Sequence, residues 1–91
     1  MCRVKKRTKE TDLNICSWNV GGLISENHDK TKDPLFIKHI NEFDLILLTE
    51  IHLGYENIVD IEGFFYYPFC REKSRNNRYF GGIGILIKKK H

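Results

Sequence analysis

The stretch that most constrains this chain is Asp44-Leu45-Ile46-Leu47-Leu48-Thr49-Glu50, four consecutive large apolar residues closed by a carboxylate. Four such residues are too few for a buried helix and suit a strand covered on both faces. Upstream, Leu13-Asn14-Ile15-Cys16-Ser17-Trp18-Asn19 alternates loosely and runs into Gly21-Gly22, the mark of a strand entering a turn. Between them, residues 24–33 read as a polar loop. Asp33-Pro34 then supplies an N-cap and a proline at the first helical position, where its missing N–H costs nothing. Phe36, Ile37 and Ile40 fall on one face of the next two turns, so a helix is expected to end near Asn41–Phe43.

Strand, helix, strand is an order with a geometric consequence. A helical crossover joins parallel strands with a right-handed connection, and parallel neighbours end on the same edge of the sheet. Asn19 ends the first strand and Glu50 the second, so an amide and a carboxylate are expected at one rim, the carboxyl edge where ligands bind in such sheets. They would make half a site for a hard divalent cation, because magnesium takes one or two protein carboxylates and leaves the rest to water and phosphate. By position alone, the same two residues also serve as strand-end caps facing water.

Beyond Glu50, the aromatic-rich stretch Ile61 to Phe69 reads as a strand. Arg71 to Tyr79 reads as a basic loop, and Gly81-Gly82-Ile83-Gly84-Ile85-Leu86-Ile87-Lys88 as a further strand. Trp18 and the Phe64–Tyr67 cluster are expected in the core. Residues 1–12 show no periodicity and are expected to form a flexible basic lead-in to one domain at 13–91.

Charge follows a pattern that the net +3 conceals. Residues 1–9 carry five basic groups and no acid, residues 10–70 three basic against eleven acidic, and residues 71–91 seven basic against one acidic. An acidic middle between basic flanks suits a protein that holds a cation centrally and touches phosphates around it; the flanks also read as solvated tails. Arg71, Lys73, Arg75 and Arg78, with Tyr79 beside them, suit a nucleic-acid backbone, and a solvated hairpin loop is the alternative. Lys5-Lys6-Arg7 reads as a solubilising end, or as a nuclear-import or DNA-contacting tail.

Other residues carry less. His28 and His39 have no carboxylate or cysteine at ligand spacing, and His52 is expected to be a rim residue. Cys2, Cys16 and Cys70 are odd in number and widely spaced, which fits a reduced compartment, nuclear or cytoplasmic. No apolar run approaches about 18 residues, so no membrane partner is expected.

Three segments in order resemble the endonuclease/exonuclease/phosphatase family. Ser17-Trp18-Asn19-Val20-Gly21-Gly22-Leu23 is similar to its first signature, in which an Asn ends a strand ahead of Gly-Leu. Leu47-Leu48-Thr49-Glu50-Ile51-His52-Leu53 is similar to its second, in which a Glu binds the catalytic metal; Ile51 stands where Thr is usual. Gly81 to Ile87 is similar to the glycine-led strand that follows. The likeness runs from about Leu13 to Lys90 and is greatest to the apurinic-type endonuclease domains of non-LTR retrotransposon reverse transcriptases.

The resemblance implies an α/β fold, the first part of a four-layered, DNase I-like sandwich with helices outside two sheets, here incomplete. It makes Glu50 a metal ligand and catalytic residue, Asn19 a catalytic residue supporting metal and phosphate, magnesium the cofactor with manganese as substitute, and DNA the partner. No organic cofactor site is implied. The family's later tyrosine, Asp-x-Asn pair and Asp-His pair have no counterpart in these 91 residues, nor does a downstream reverse transcriptase segment. The expectation is an N-terminal fragment of a DNA endonuclease domain, inactive by itself. Its alternatives are a non-catalytic nucleic-acid-binding remnant and a phosphoesterase of the same fold acting on a small molecule or lipid.

Overall fold

Helix α1 (Pro34–Ile40) begins where the sequence puts it: the Asp33 carboxylate accepts from the Leu35 N–H, and Pro34 opens the first turn. It ends at Asn41, whose backbone N–H bonds the Ile37 carbonyl and whose own carbonyl accepts from Lys88 Nζ at 2.7 Å. Phe36 and Ile40 are buried beneath it. The structure is a computed structural model that describes residues 2–7, 12–25 and 27–89, the first six and residue 12 by backbone alone.

The strands are β1 (Cys2–Arg7), β2 (Asp12–Asn19), β3 (Leu45–Thr49), β4 (Phe64–Phe69) and β5 (Ile83–Lys88), and they form one mixed sheet in the order β1-β2-β3-β5-β4. β2 and β3 are parallel, with Ile15 opposite Leu45 and Asn19 opposite Thr49, as the helical crossover requires. The other pairings are antiparallel, and β4 and β5 form a hairpin around the basic loop. β3 is the central strand. Among the described residues this is a mixed α/β fold of one sheet and one helix, and no helix is long and apolar enough to cross a membrane.

β1 differs from the sequence reading. Cys2–Arg7 pairs antiparallel with β2, Cys2 opposite Ser17 and Arg7 opposite Asp12. An edge strand asks for backbone hydrogen bonds and tolerates a charged, non-alternating sequence, which is why periodicity did not reveal it. The rest of the expected lead-in, 1 and 8–11, lies outside the described residues, as do the side chains of Lys5-Lys6-Arg7, residue Glu26 of the polar loop, and His91. That polar loop also contains a short 3-10 turn at Lys30–Lys32, capped by the Asp29 carboxylate.

The expectation that β3 is covered on both faces is corrected. Ile46 and Leu48 are fully buried with Cys16 and Leu86, in one core with Phe36 and Ile40 of α1, whereas Leu45 and Leu47 are only half-buried. Neighbours of Leu45 and Leu47 continue an apolar surface: Leu47 lies opposite Ile85 and Ile85 opposite Tyr67, and Leu45 opposite Ile87 and Ile87 opposite Phe65. Phe65, Tyr67, Phe69 and Ile83 are 40–56 % exposed. The aromatic cluster is thus split, Phe64 in the core and Phe65 and Tyr67 on the bare face. Trp18 packs as expected, stacked on Phe36 at 5.0 Å.

An uncovered apolar face of this kind binds hydrophobic dyes. Replacing Tyr67 and Phe69 together by lysine is expected to lower anilinonaphthalenesulfonate fluorescence of the folded chain by about twofold or more. Unchanged fluorescence would mean that the face is already covered in solution.

Two buried polar features lock the sheet. Asp44 is buried and its carboxylate accepts from the Asn14 N–H at 2.9 Å, while its backbone N–H and carbonyl bond Asn14 and Lys88, fastening the start of β3 to both neighbours. Gly84 leaves room for the Tyr66 ring: a Cβ there would come within 2.7 Å of it, so the ring lies over the glycine and fills the gap in β5. Burial pushes the Tyr66 phenol up to about 12.

Candidate functional site

Parallel pairing carries Asn19 and Glu50 to one edge, as the sequence reading expects. The ladder does not stop at the strand ends. Val20 N–H bonds the Thr49 carbonyl at 3.0 Å, Gly22 N–H the Glu50 carbonyl at 2.7 Å, and Leu23 N–H the Ile51 carbonyl at 3.0 Å. On the other side, Ile51 N–H bonds Gly82 and His52 N–H bonds Gly81 at 2.8 Å. Residues 50–52 are therefore held from both flanks by loops that the glycine pairs 21–22 and 81–82 make possible, all four glycines having positive φ.

Within that clamp, Glu50 and His52 both sit at φ 56°. For a non-glycine residue the left-handed conformation costs about 1–2 kcal/mol, and it persists only where surrounding bonds dictate it. Such strain gathers at functional sites. Between the two, Ile51 is fully buried and anchors the segment in the core. The outcome is a rigid rim from which the exposed Glu50 side chain projects.

Asn19 is exposed, and its amide oxygen accepts from Gly21 N–H at 3.1 Å, closing the turn after β2. Lys30 braces the same turn, its Nζ donating to the Gly22 carbonyl at 2.7 Å. His52 is half-buried: its Nδ1 accepts from Gly81 N–H at 3.0 Å, its ring meets Phe80 edge-on at 6.0 Å, and its Nε2 lies 3.6 Å from a Glu50 carboxylate oxygen.

The four basic residues of the hairpin loop fall in three places. Arg71 lies with its guanidinium over Gly81, 3.1 Å from where a Cβ would stand, and so borders the rim. Lys73 faces inward along the loop, 3.9 Å from the Glu56 carboxylate and over the Tyr79 ring at 5.2 Å. Arg75 and Arg78 stand exposed at the tip, in a turn closed by Asn77 N–H on the Ser74 carbonyl and Ser74 N–H on the Arg78 carbonyl. No ion pair holds those two among the described residues.

Sequence reasoning missed the pairing of Glu56 with Tyr79, whose hydroxyl donates to the carboxylate. The bond holds Glu56 below the usual carboxylate range and pushes Tyr79 up to about 12. Gly54 admits the Tyr79 ring, since a Cβ there would strike it. Only that bare glycine hinted at the contact. By linkage, the Tyr79 contribution to stability is present below pH 10 and lost as pH rises through about 12; the Glu56 contribution is lost as pH falls through its lowered value. Absorbance at 295 nm should show Tyr66 and Tyr79 ionising near 12, and Tyr79→Phe should remove one of those two ionisations. A Tyr79 phenol titrating near 10 would show that the bond is absent in solution. His28 and His39 also acquire carboxylate neighbours, Asp33 at 3.7 Å and Glu42 at 3.8 Å.

The rim offers one carboxylate, a hard oxygen group, and one amide NH₂, a hydrogen-bond donor. They are fewer than an all-protein cage: the described residues hold no group of three or more His, Cys, Asp and Glu placed to share a metal.

No protein-family model matches this chain. It is similar to a Drosophila melanogaster protein described as a probable RNA-directed DNA polymerase from transposon BS, with 34 % identity over 76 residues. The match covers 84 % of this chain and 8 % of that protein, so the chain spans less than a tenth of its relative's length.

Proposed function

We propose that this chain is the N-terminal part of a metal-dependent endonuclease domain of the endonuclease/exonuclease/phosphatase kind, acting on DNA and belonging to a retrotransposon-type polymerase. The observation that carries the reading is the strained, doubly clamped Glu50 beside Asn19 at the carboxyl edge of β2 and β3. The Drosophila relative, described as a probable RNA-directed DNA polymerase, supports a nucleic-acid substrate.

In this reading Glu50 would hold a magnesium ion, which would supply charge stabilisation to the phosphate oxygens and leaving group. Asn19, its oxygen occupied by Gly21, donates its NH₂ to a phosphate oxygen. Arg71 adds positive charge at the rim, and Arg75 and Arg78 reach further along the backbone. Water activation needs a base and further phosphate contacts beyond what this rim supplies, so the 91 residues alone are expected to be inert. In this reading the bare face of the sheet would receive the second sheet of the implied sandwich.

The test is nicking of supercoiled plasmid with magnesium. The chain alone should leave the plasmid intact. A chimera in which this chain replaces the matching stretch of the Drosophila protein should nick it and stop on addition of EDTA. An inert chimera would overturn the proposal. Salt-sensitive DNA binding by that inert chimera would then favour the non-catalytic alternative, and cleavage of soluble phosphoesters alone would favour the small-molecule one.

A further inference from the structure

His52 is the side chain that the structure sets against the Glu50 carboxylate, and its own orientation is determined by the hairpin loop. Gly81 N–H donates to Nδ1 at 3.0 Å, so Nδ1 is the unprotonated nitrogen of a neutral imidazole. The ring proton must then sit on Nε2, the atom 3.6 Å from Glu50 Oε2. That distance is too long for a direct hydrogen bond and short enough for an oriented N–H dipole to hold the carboxylate in place. Two further contacts hold the residue: His52 N–H bonds the Gly81 carbonyl, and Phe80 meets the ring edge-on.

We propose that His52 is a positioning residue for Glu50: the hairpin loop fixes its tautomer through Gly81, and its Nε2–H aims the carboxylate outward at the rim. This rests on the reading of Glu50 as a metal ligand. A consequence is that the loop bearing Arg71 is tied to the segment carrying the cation-binding carboxylate, by Gly81 N–H on the imidazole and by the Ile51 and His52 N–H groups on the Gly82 and Gly81 carbonyls. Outer groups that orient a metal-ligating carboxylate matter to the metal, and losing such a partner costs about 10- to 100-fold in metal affinity.

Side-chain geometry allows the two halves of the ring's role to be separated. Asparagine places an oxygen where Nδ1 stands and has nothing at Nε2, and it tolerates the left-handed backbone. Glutamine places an amide at the Nε2 position and loses the acceptor for Gly81. The experiment measures Mn²⁺ binding to the full chain by electron paramagnetic resonance, and Gly81 amide exchange by NMR, in His52→Asn, His52→Gln and Glu50→Gln.

The expected result is that His52→Asn keeps Gly81 protected yet weakens Mn²⁺ about tenfold, while His52→Gln exposes Gly81 and loses less affinity. If affinity instead follows Gly81 protection, His52 is a structural prop and the proposal falls. If Glu50→Gln abolishes binding and His52→Asn matches the unsubstituted chain, the positioning role alone fails. If the unsubstituted chain binds no Mn²⁺, or Glu50→Gln binds it equally, the reading of Glu50 fails and takes the positioning role with it.

Discussion

Glu50→Ala is expected to lower magnesium-dependent nicking by the chimera about a thousandfold. A bound cation contributes several kcal/mol to stabilising the charge that builds on phosphate, and each 1.4 kcal/mol is a factor of ten in rate. Glu50 supplies the carboxylate at this rim, so its removal should cost most of that contribution. Stability should move the other way. Glu50 pays for its position with a left-handed backbone at φ 56°. Glu50→Gly relieves that strain and is expected to leave the fold as stable, or more stable by about 1 kcal/mol, while nicking is lost. A residue retained for structure would show the reverse, with stability and activity falling together. Nicking within about threefold of the unsubstituted chimera would remove Glu50 from the mechanism.

The second large effect separates the two faces of β3. Ile46 lies opposite Cys16 on one side and Leu86 on the other, and all three are fully buried. Ile46→Ala should cost about 2–5 kcal/mol, the range for emptying a closed apolar site. A chain of 91 residues buries only about 60–65 % of its unfolded surface, so that loss is a large share of its stability. Its neighbour Leu47 projects from the opposite, half-covered face, and Leu47→Ala should cost under about 1 kcal/mol. Urea unfolding followed by circular dichroism gives both numbers. Equal costs would show that the second face is packed in solution.

That contrast also explains what could and could not be read from the chain. The Leu45–Leu48 run announced a strand but not which face would be covered, because a run of four apolar residues fits one covered face as well as two. Asp33-Pro34 located the helix start because capping chemistry is local. The parallel pairing of β2 with β3 followed from the crossover between them, and with it the meeting of Asn19 and Glu50 at one edge. β1 was invisible, since its pairing depends on backbone groups that every residue carries.

The shared edge of Asn19 and Glu50 is legible in the strand order, whereas the strain at Glu50 and His52 is not. Left-handed backbone at a glutamate is imposed by the glycine loops on either side, a tertiary effect without a local signature. The basic loop reads as one cluster, yet its members have different partners. Arg71 lies against Gly81, Lys73 faces Glu56, and Arg75 and Arg78 stand in solvent. Spacing places residues on a loop and does not say which way each one turns. His52 reads as an ordinary rim residue because nothing in the sequence links it to Gly81, twenty-nine positions on.

The central claim is that Glu50 makes this rim a divalent-cation site, and Mn²⁺ binding to the folded chain, measured beside Glu50→Gln, tests it most directly. Glutamine keeps the shape of the side chain and removes its charge, so the fold is preserved. The account predicts one bound Mn²⁺ per chain, displaced by excess magnesium and lost in Glu50→Gln. Binding of equal strength in both proteins, or none in either, would contradict it.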